Sequence, residues 1–267
     1  MHEDADDSGQ DAAVDLQAWW DDLRIAGAFL TRLPIPTDQT PNLRGLARAS
    51  RTFPLVGLGI GLMGGIVYAV ADRLSLGGPL AAIIAVTTVV AATGALHEDG
   101  LADVADGFGG GRDRDAKLRI MRDSRIGTFG VVALVSALAL RVAAIAAIGA
   151  VERPVGVIAA LVACHAASRA FVAIVMQREP LARDDGLAAA AGRPSAVTSL
   201  WALGLGIGIA LICERLSGVV ALAVGIAVAW GVASLARRQI GGHTGDVLGT
   251  VQQASEIGML LALAALA

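Results

Sequence analysis

The sequence predicts an all-α protein: a polytopic membrane bundle of six to seven transmembrane helices, preceded by an amino-terminal interfacial helix. Three observations carry this expectation. Of the 267 residues, 55% are hydrophobic, and the mean hydropathy of +0.65 is far beyond that of a soluble domain of this length. The apolar residues are blocked into long runs and are not spread at the period of a surface helix, which makes the bilayer the solvent. No stretch of any length alternates as a strand does. The net charge of −3 gives no bulk electrostatic reason to bind nucleic acid. Cys164 and Cys213 both lie inside apolar runs, with no CxxC or Cys/His spacing, and read as small buried hydrophobes.

Residues 1–15 are expected to form an acidic, disordered tail. They hold Glu3, Asp4, Asp6, Asp7, Asp11 and Asp15 with no Lys or Arg, the reverse of a signal-peptide n-region. Residues 16–267 are expected to form one transmembrane catalytic domain with an Asp-rich segment at 97–129. Leu16, Trp19, Trp20, Leu23 and Leu30 recur at helical spacing against Asp21, Asp22 and Arg24, as in a helix lying in the membrane interface. Leu33-Pro34-Ile35-Pro36 ends it. A polar loop with Arg44, Arg48 and Arg51 follows, and Phe53-Pro54 introduces the first span.

Spans are expected at 55–71, 79–96, 130–150, 154–175, 198–213, 217–236 and about 247–267. The first carries Gly57, Gly59, Gly61, Gly64 and Gly65, and small residues of this kind let helices pack closely. Charge gives an orientation. The alternate loops 1–54, 97–129, 176–197 and 237–246 hold 5, 6, 3 and 2 Lys/Arg, against only Arg73, Arg153 and Arg215 in the other three. Sixteen against three is a positive-inside bias, and the alternation is clean only with seven spans. It puts the amino terminus, the Asp-rich segment, the 176–197 loop and the GGHTGD turn together on the cytoplasmic side.

The chemistry concentrates between Gly94 and Gly130, where seven of the 24 acidic and six of the 21 basic residues fall. Asp99, Asp103 and Asp106 stand at i, i+4 and i+7, within about 60° of one another on a helix. A helix unbroken from Pro79 to Asp106 would be about 42 Å long, about 12 Å more than the hydrocarbon core, and would hold this face rigidly at the interface. Like charges at this spacing cost helix stability. A Mg²⁺-class cation removes that cost, since it prefers oxygen ligands and keeps coordination sites for water and phosphate. The alternative is a solvated face paired with nearby Arg residues. Glu98 points a quarter-turn away, as an outlying ligand, and His97 lies further round as a substrate contact.

Gly107, Gly109, Gly110 and Gly111 would end the helix and let backbone N–H groups approach an anion; a plain connector is the other reading. No Gly-Lys-Ser/Thr follows, so this is no Walker A loop. Of the basic residues that come next, Arg122 and Arg125 around Asp123 stand out as phosphate contacts, with Arg112 and Ser124 beside them. Positive-inside charge accounts for several of these without a substrate. In Gly241-Gly242-His243-Thr244-Gly245-Asp246, Thr244 or Asp246 is either a helix N-cap, or Asp246 completes a metal shell and His243 moves a proton. Arg141, His165 and Arg169 lie within spans, where charged groups serve interhelical hydrogen bonds or a substrate pocket.

Five stretches, FLTRLPIP (29–36), FPLVGLGIG (53–61), HEDGLADVADGFGGG (97–111), MRDSRIGTFG (121–130) and GGHTGDVLG (241–249), resemble the adenosylcobinamide-GDP ribazoletransferase family, also called cobalamin-5′-phosphate synthase. The resemblance covers nearly everything after the acidic tail. It implies a transferase of vitamin B12 synthesis that joins adenosylcobinamide-GDP to α-ribazole, or its 5′-phosphate, with Mg²⁺ and release of GMP. On that reading Asp99, Asp103 and Asp106 hold the metal with Asp246 as a fourth ligand. Arg122 and Arg125 hold the pyrophosphate, and Asp123 or His243 takes the hydroxyl proton. The expected location is the bacterial inner membrane with the site facing the cytoplasm. Self-association and contacts with other late B12 enzymes stay open.

Two other classes compete. A CDP-alcohol phosphotransferase also spaces aspartates on a membrane helix, and Asp103-x-x-Asp106-Gly107 fits its start. Its Ala-Arg is replaced here by Gly110-Gly111, and its later Gly-x3-Asp-x3-Asp is absent. A cation-coupled transporter would place its ligands near mid-membrane on broken helices, whereas these acids cluster at one end and no inverted repeat is visible.

Overall fold

The computed structural model describes residues 15–36 and 45–267; all but Asp15 of the acidic tail, together with Arg44, lies outside them. Among the described residues every regular element is helical. The order is α1 (Leu16–Leu30), α2 (Leu46–Ala49, continued by a 3₁₀ turn, Ser50–Thr52), α3 (Phe53–Arg73), α4 (Gly78–Thr93), α5 (Leu96–Gly110), α6 (Arg114–Ile120), α7 (Thr128–Val151), α8 (Pro154–Arg178), α9 (Leu187–Ala191), α10 (Ala196–Ile240) and α11 (Gly245–Leu266).

Asp15 is the N-cap of α1, its carboxylate accepting from the N–H groups of Gln17 and Ala18. The buried Asp22 then ties α1 to the bundle by accepting from Arg48 Nε at 2.9 Å and Arg51 Nε at 2.7 Å. Arg51 also stacks 4.2 Å over Trp19, which meets Trp201 edge-on at 5.5 Å. The Trp20 ring stays exposed.

Among the described residues five helices are long and apolar enough to cross a membrane, or six with α4 and α5 counted as one broken crossing. One of the five, α10, supplies two crossings. As a straight rod its 45 residues would reach about 68 Å, more than twice the hydrocarbon thickness. Instead the chain reverses at Arg215 (φ 49°, ψ −119°). A Cβ on Gly218 would stand 3.0 Å from the Ala210 carbonyl, and Gly206 and Gly225, on opposite arms, both lie against α8 near Ala170 and Phe171. The two arms correspond to the spans expected at 198–213 and 217–236, and the chain is a polytopic helical membrane protein.

Helix α8 is the hub, packing on α3, both arms of α10, and α11. Gly57, Gly61 and Gly65 recur every fourth residue along α3 and meet the α8 backbone at His165, Leu161 and Ile158 with no room for a Cβ. This is small-residue packing between membrane helices.

One expectation fails. The helix from Pro79 to Asp106 is not continuous: α4 and α5 meet at 89°. Gly94 (φ 65°) and Ala95 (φ 57°) both adopt left-handed backbone, a conformation glycine takes at little cost. The Ala92 carbonyl at the end of α4 accepts instead from the Arg32 N–H at 2.7 Å. Helix α5 therefore turns out of the line of α4 and lies across the end of the bundle, against α11, α7 and α6. That end also gathers residues 31–36, the 178–196 loop and the 240–246 turn.

Candidate functional site

The site is built where α5 crosses the start of α11. Gly100 makes this approach possible, since a Cβ there would lie 2.8 Å from the Asp246 carbonyl oxygen and 2.9 Å from its Cα. Thr250 Oγ1 donates to the Gly100 carbonyl at 3.2 Å and holds the crossing. Thr244 is the N-cap of α11, accepting from the Val247 N–H. That frees Asp246, whose Oδ2 accepts from Thr244 Oγ1 at 3.1 Å, to face α5.

Asp246 and Asp99 thereby line one cavity, together with His97 and Arg183. The rest of its lining is mostly apolar and includes Phe29, Phe53, Val172, Met176 and Leu187. Asp103 lies beside them. Burial, and then the charges of Asp246, Asp99 and Asp106, push its carboxyl up to about 7, opposed by Arg183. Such a surplus of negative charge, presented by oxygen donors alone, suits a hard divalent cation. Among the described residues no three His, Cys, Asp or Glu side chains already stand at metal-ligating spacing. The arrangement fits an ion held by one or two carboxylates that fills its shell with water and phosphate, as Mg²⁺ does.

Several sequence-based assignments change. Asp106 does not face the cavity freely: its Oδ2 accepts from the Gly127 N–H at 2.7 Å and its Oδ1 from the Gly130 N–H at 2.8 Å. It caps α7, where a carboxylate complements the helix dipole. Glu98 leaves the metal set altogether. It is buried and accepts from Arg141 Nη1 at 2.8 Å and Gln253 Nε2 at 3.0 Å. Gly109 and Gly110 do not present N–H groups to an anion, because α5 runs through them to Gly110 and uses their N–H groups internally. Gly109 packs against the Phe129 ring, and Gly107 against Met121.

The basic segment divides. Arg114 is structural, donating to the backbone carbonyls of Ile240 at 3.0 Å and Ala182 at 2.5 Å. Arg125 closes on Asp123, two residues away, with Nη2–Oδ2 at 2.7 Å. That contact holds the Asp123 carboxyl down to about 2, which makes Asp123 a poor base at neutral pH. Arg122 donates instead to both oxygens of Asp185 at 2.6 Å. Arg112 and Ser124 are exposed. His243 is buried, its Nδ1 2.9 Å from the Pro180 carbonyl, and burial lowers its pKa. Its N–H donates to Pro180 at 2.8 Å and its carbonyl accepts from the Ala182 N–H at 2.9 Å. His243 therefore anchors the 180–183 strip over α11, which is what brings Arg183 to the cavity.

Below α5 lies a buried polar network. Arg141 Nη2 is 3.1 Å from Glu256 Oε1, whose other oxygen lies 2.8 Å from His165 Nδ1. Arg169 Nη1 stands 3.1 Å from His165 Nδ1, and Gln252 Nε2 donates to Glu256 at 2.6 Å and Ser168 at 3.1 Å. Arg141 and His165 thus bond between helices, whereas Arg169 bonds to His165 within α8. Sequence reasoning missed Gln252, Gln253 and Glu256; three polar residues on one face of an apolar helix were the available signal. It also missed Arg183.

The family model for cobalamin-5-phosphate synthase matches residues 22–264. Proteins named adenosylcobinamide-GDP ribazoletransferase are similar over nearly the whole chain. That of Bradyrhizobium diazoefficiens is 47% identical over 253 residues, covering 91% of this chain and 93% of its own. That of Sinorhizobium medicae is 43% identical, covering 94% and 98%, and that of Mesorhizobium japonicum 46%, covering 90% and 92%. No solved structure matches the chain.

Proposed function

The chain belongs to the cobalamin-5-phosphate synthase family, and from that premise we infer how it carries out late cobalamin assembly. It joins adenosylcobinamide-GDP to α-ribazole, or to α-ribazole 5′-phosphate. A hydroxyl oxygen of the ribose bonds to the phosphorus that carries the cobinamide, the P–O–P bond breaks, and GMP leaves with the bridging oxygen. The product is adenosylcobalamin or its 5′-phosphate.

The observation that carries the mechanism is the meeting of Asp99 and Asp246, from different helices, on one cavity whose lining is otherwise mostly apolar. Asp99, Asp103 and Asp246 are the residues that would hold Mg²⁺; bound there, it would supply positive charge to the diphosphate and the leaving GMP. The apolar lining suits the flat base of α-ribazole, leaving its ribose toward the carboxylates. The hydroxyl proton passes to this carboxylate cluster and not to Asp123, which Arg125 keeps ionised and weakly basic. The large corrin stays outside the cavity, near the membrane surface.

The loops that alternate with those of Arg73, Arg153 and Arg215 hold sixteen Lys/Arg against these three, a positive-inside bias that supports a cytoplasmic site at a bacterial inner membrane. The test is GMP release by the purified full chain in lipid vesicles given both substrates, with and without Mg²⁺. GMP formed one-for-one with the cobalamin product, only with Mg²⁺, is the expected result. Product formed equally well in a chelator would overturn the metal assignment.

A further inference from the structure

The loop between α8 and α9 and the loop between α6 and α7 meet through one carboxylate. Asp185 accepts from Arg122 Nη2 at 2.6 Å through both of its oxygens. On its other side Arg183 Nε lies 3.5 Å from Asp185 Oδ1. Arg183 Nη2 in turn stands 3.7 Å from Asp246 Oδ2, at the outer edge of an ion pair. The third nitrogen, Arg183 Nη1, is buried and has no hydrogen-bond partner among the described residues. Two guanidinium groups thus converge on a single anion-sized position beside the carboxylate cluster, and one still has an unmet donor.

We infer that Arg122 and Arg183 form a two-pronged site for the diphosphate of the nucleotide-activated substrate, and that Asp185 occupies it as an internal stand-in until the diphosphate displaces it. This rests on the reaction given above. The contact being displaced is weak. Arg122 and Asp185 are 52% and 65% exposed, and exposed ion pairs contribute little. A diphosphate carries more charge and takes the planar guanidinium fork through two parallel, charge-assisted hydrogen bonds. It also offers an acceptor to the orphaned Nη1, which is costly to leave unpaired. Because Arg183 borders Asp246, a diphosphate bound there lies against the carboxylates that would hold the cation. A purely structural staple between the two loops is the competing account, and it predicts the opposite sign for loss of Asp185.

The test varies the two substrates separately, using the full chain in vesicles. Asp185→Ala should lower the KM for adenosylcobinamide-GDP about two- to fivefold, the factor expected when a weak exposed competitor is removed. The KM for α-ribazole should not move. Arg183→Ala should raise the KM for the GDP substrate about tenfold or more, with Arg183→Lys recovering only part, since an ammonium lacks the fork. GDP binding by equilibrium dialysis, without the second substrate, should follow the same order. A KM for the GDP substrate that is unchanged or raised in Asp185→Ala overturns the stand-in. Unchanged GDP binding in both Arg183 variants overturns the clamp. A wild-type chain that binds GDP by this pattern but releases no GMP would sink the reaction and leave the clamp standing.

Discussion

Arg141 on α7 donates to Glu98 on α5 at 2.8 Å, with the two side chains only 2% and 7% exposed. The pair links the middle of a membrane-spanning helix to the turn of α5 just before Asp99. It therefore sets the rotation with which α5 presents Asp99 and Asp103 to Asp246.

Removing one partner of a buried ion pair strands the other, which costs about 3–5 kcal/mol. Arg141→Ala should accordingly lower the melting temperature in detergent sharply. Glu98→Gln, which keeps a hydrogen-bonding group between Arg141 and Gln253, should lower it less. A melt of Arg141→Ala that matches the unsubstituted chain would show that the pair holds nothing.

The approach of α5 to α11 depends on the missing side chain of Gly100. Gly100→Val should push the helices apart at Asp246 and cost about 1–3 kcal/mol as overpacking. It should also raise the Mg²⁺ concentration needed for half-maximal activity. Gly110→Val, at the exposed end of the same helix with only Ile120 nearby at 3.5 Å, is the control. Equal Mg²⁺ requirements in the two variants would count against the crossing as the source of the site.

Asp106 is read here as the cap of α7. Asparagine caps nearly as well as aspartate, whereas alanine costs about 0.5–2 kcal/mol. Asp106, however, accepts through both oxygens and an amide NH₂ cannot accept, so Asp106→Asn should retain activity and lose part of the stability that Asp106→Ala loses. A loss of Mg²⁺ affinity in Asp106→Asn, with stability intact, would return this residue to the metal set.

Asp103 ties stability to pH. The unfolded carboxyl ionises near 3.8 and the folded one near 7. Between those values the folded chain holds a proton that the unfolded chain has lost, so stability falls as pH rises through this window. A cation bound to the ionised carboxylate offsets that loss. The Mg²⁺-induced rise in melting temperature should therefore be larger at pH 8 than at pH 5.5. Equal rises at both would mean that the ion binds elsewhere.

The crossings and their shared end were readable from the sequence because each has a local cause. Apolar blocks mark the spans, and the loops carrying Arg48, Arg114, Arg183 and Arg237 alternate with those carrying Arg73, Arg153 and Arg215. The face shared by Asp99 and Asp103 was readable for the same reason, since helical spacing survives a bend placed before it. The bend itself was not: Gly94 is one glycine among 33, and only the Arg32 N–H on the Ala92 carbonyl shows why the chain turns there. Partners distant in sequence were equally hidden. Nothing near Glu98 announces Arg141 or Gln253, and nothing near Asp106 announces the bare N–H groups of Gly127 and Gly130. Arg183 reaches the site because His243 and Arg114, both distant in sequence, anchor its loop.

The most direct measurement is GMP release from adenosylcobinamide-GDP and α-ribazole by the Asp103→Asn chain in vesicles at saturating Mg²⁺. The variant should insert and fold cooperatively while turnover is lost. Normal kinetics in Asp103→Asn would contradict the carboxylate cluster as the seat of the chemistry.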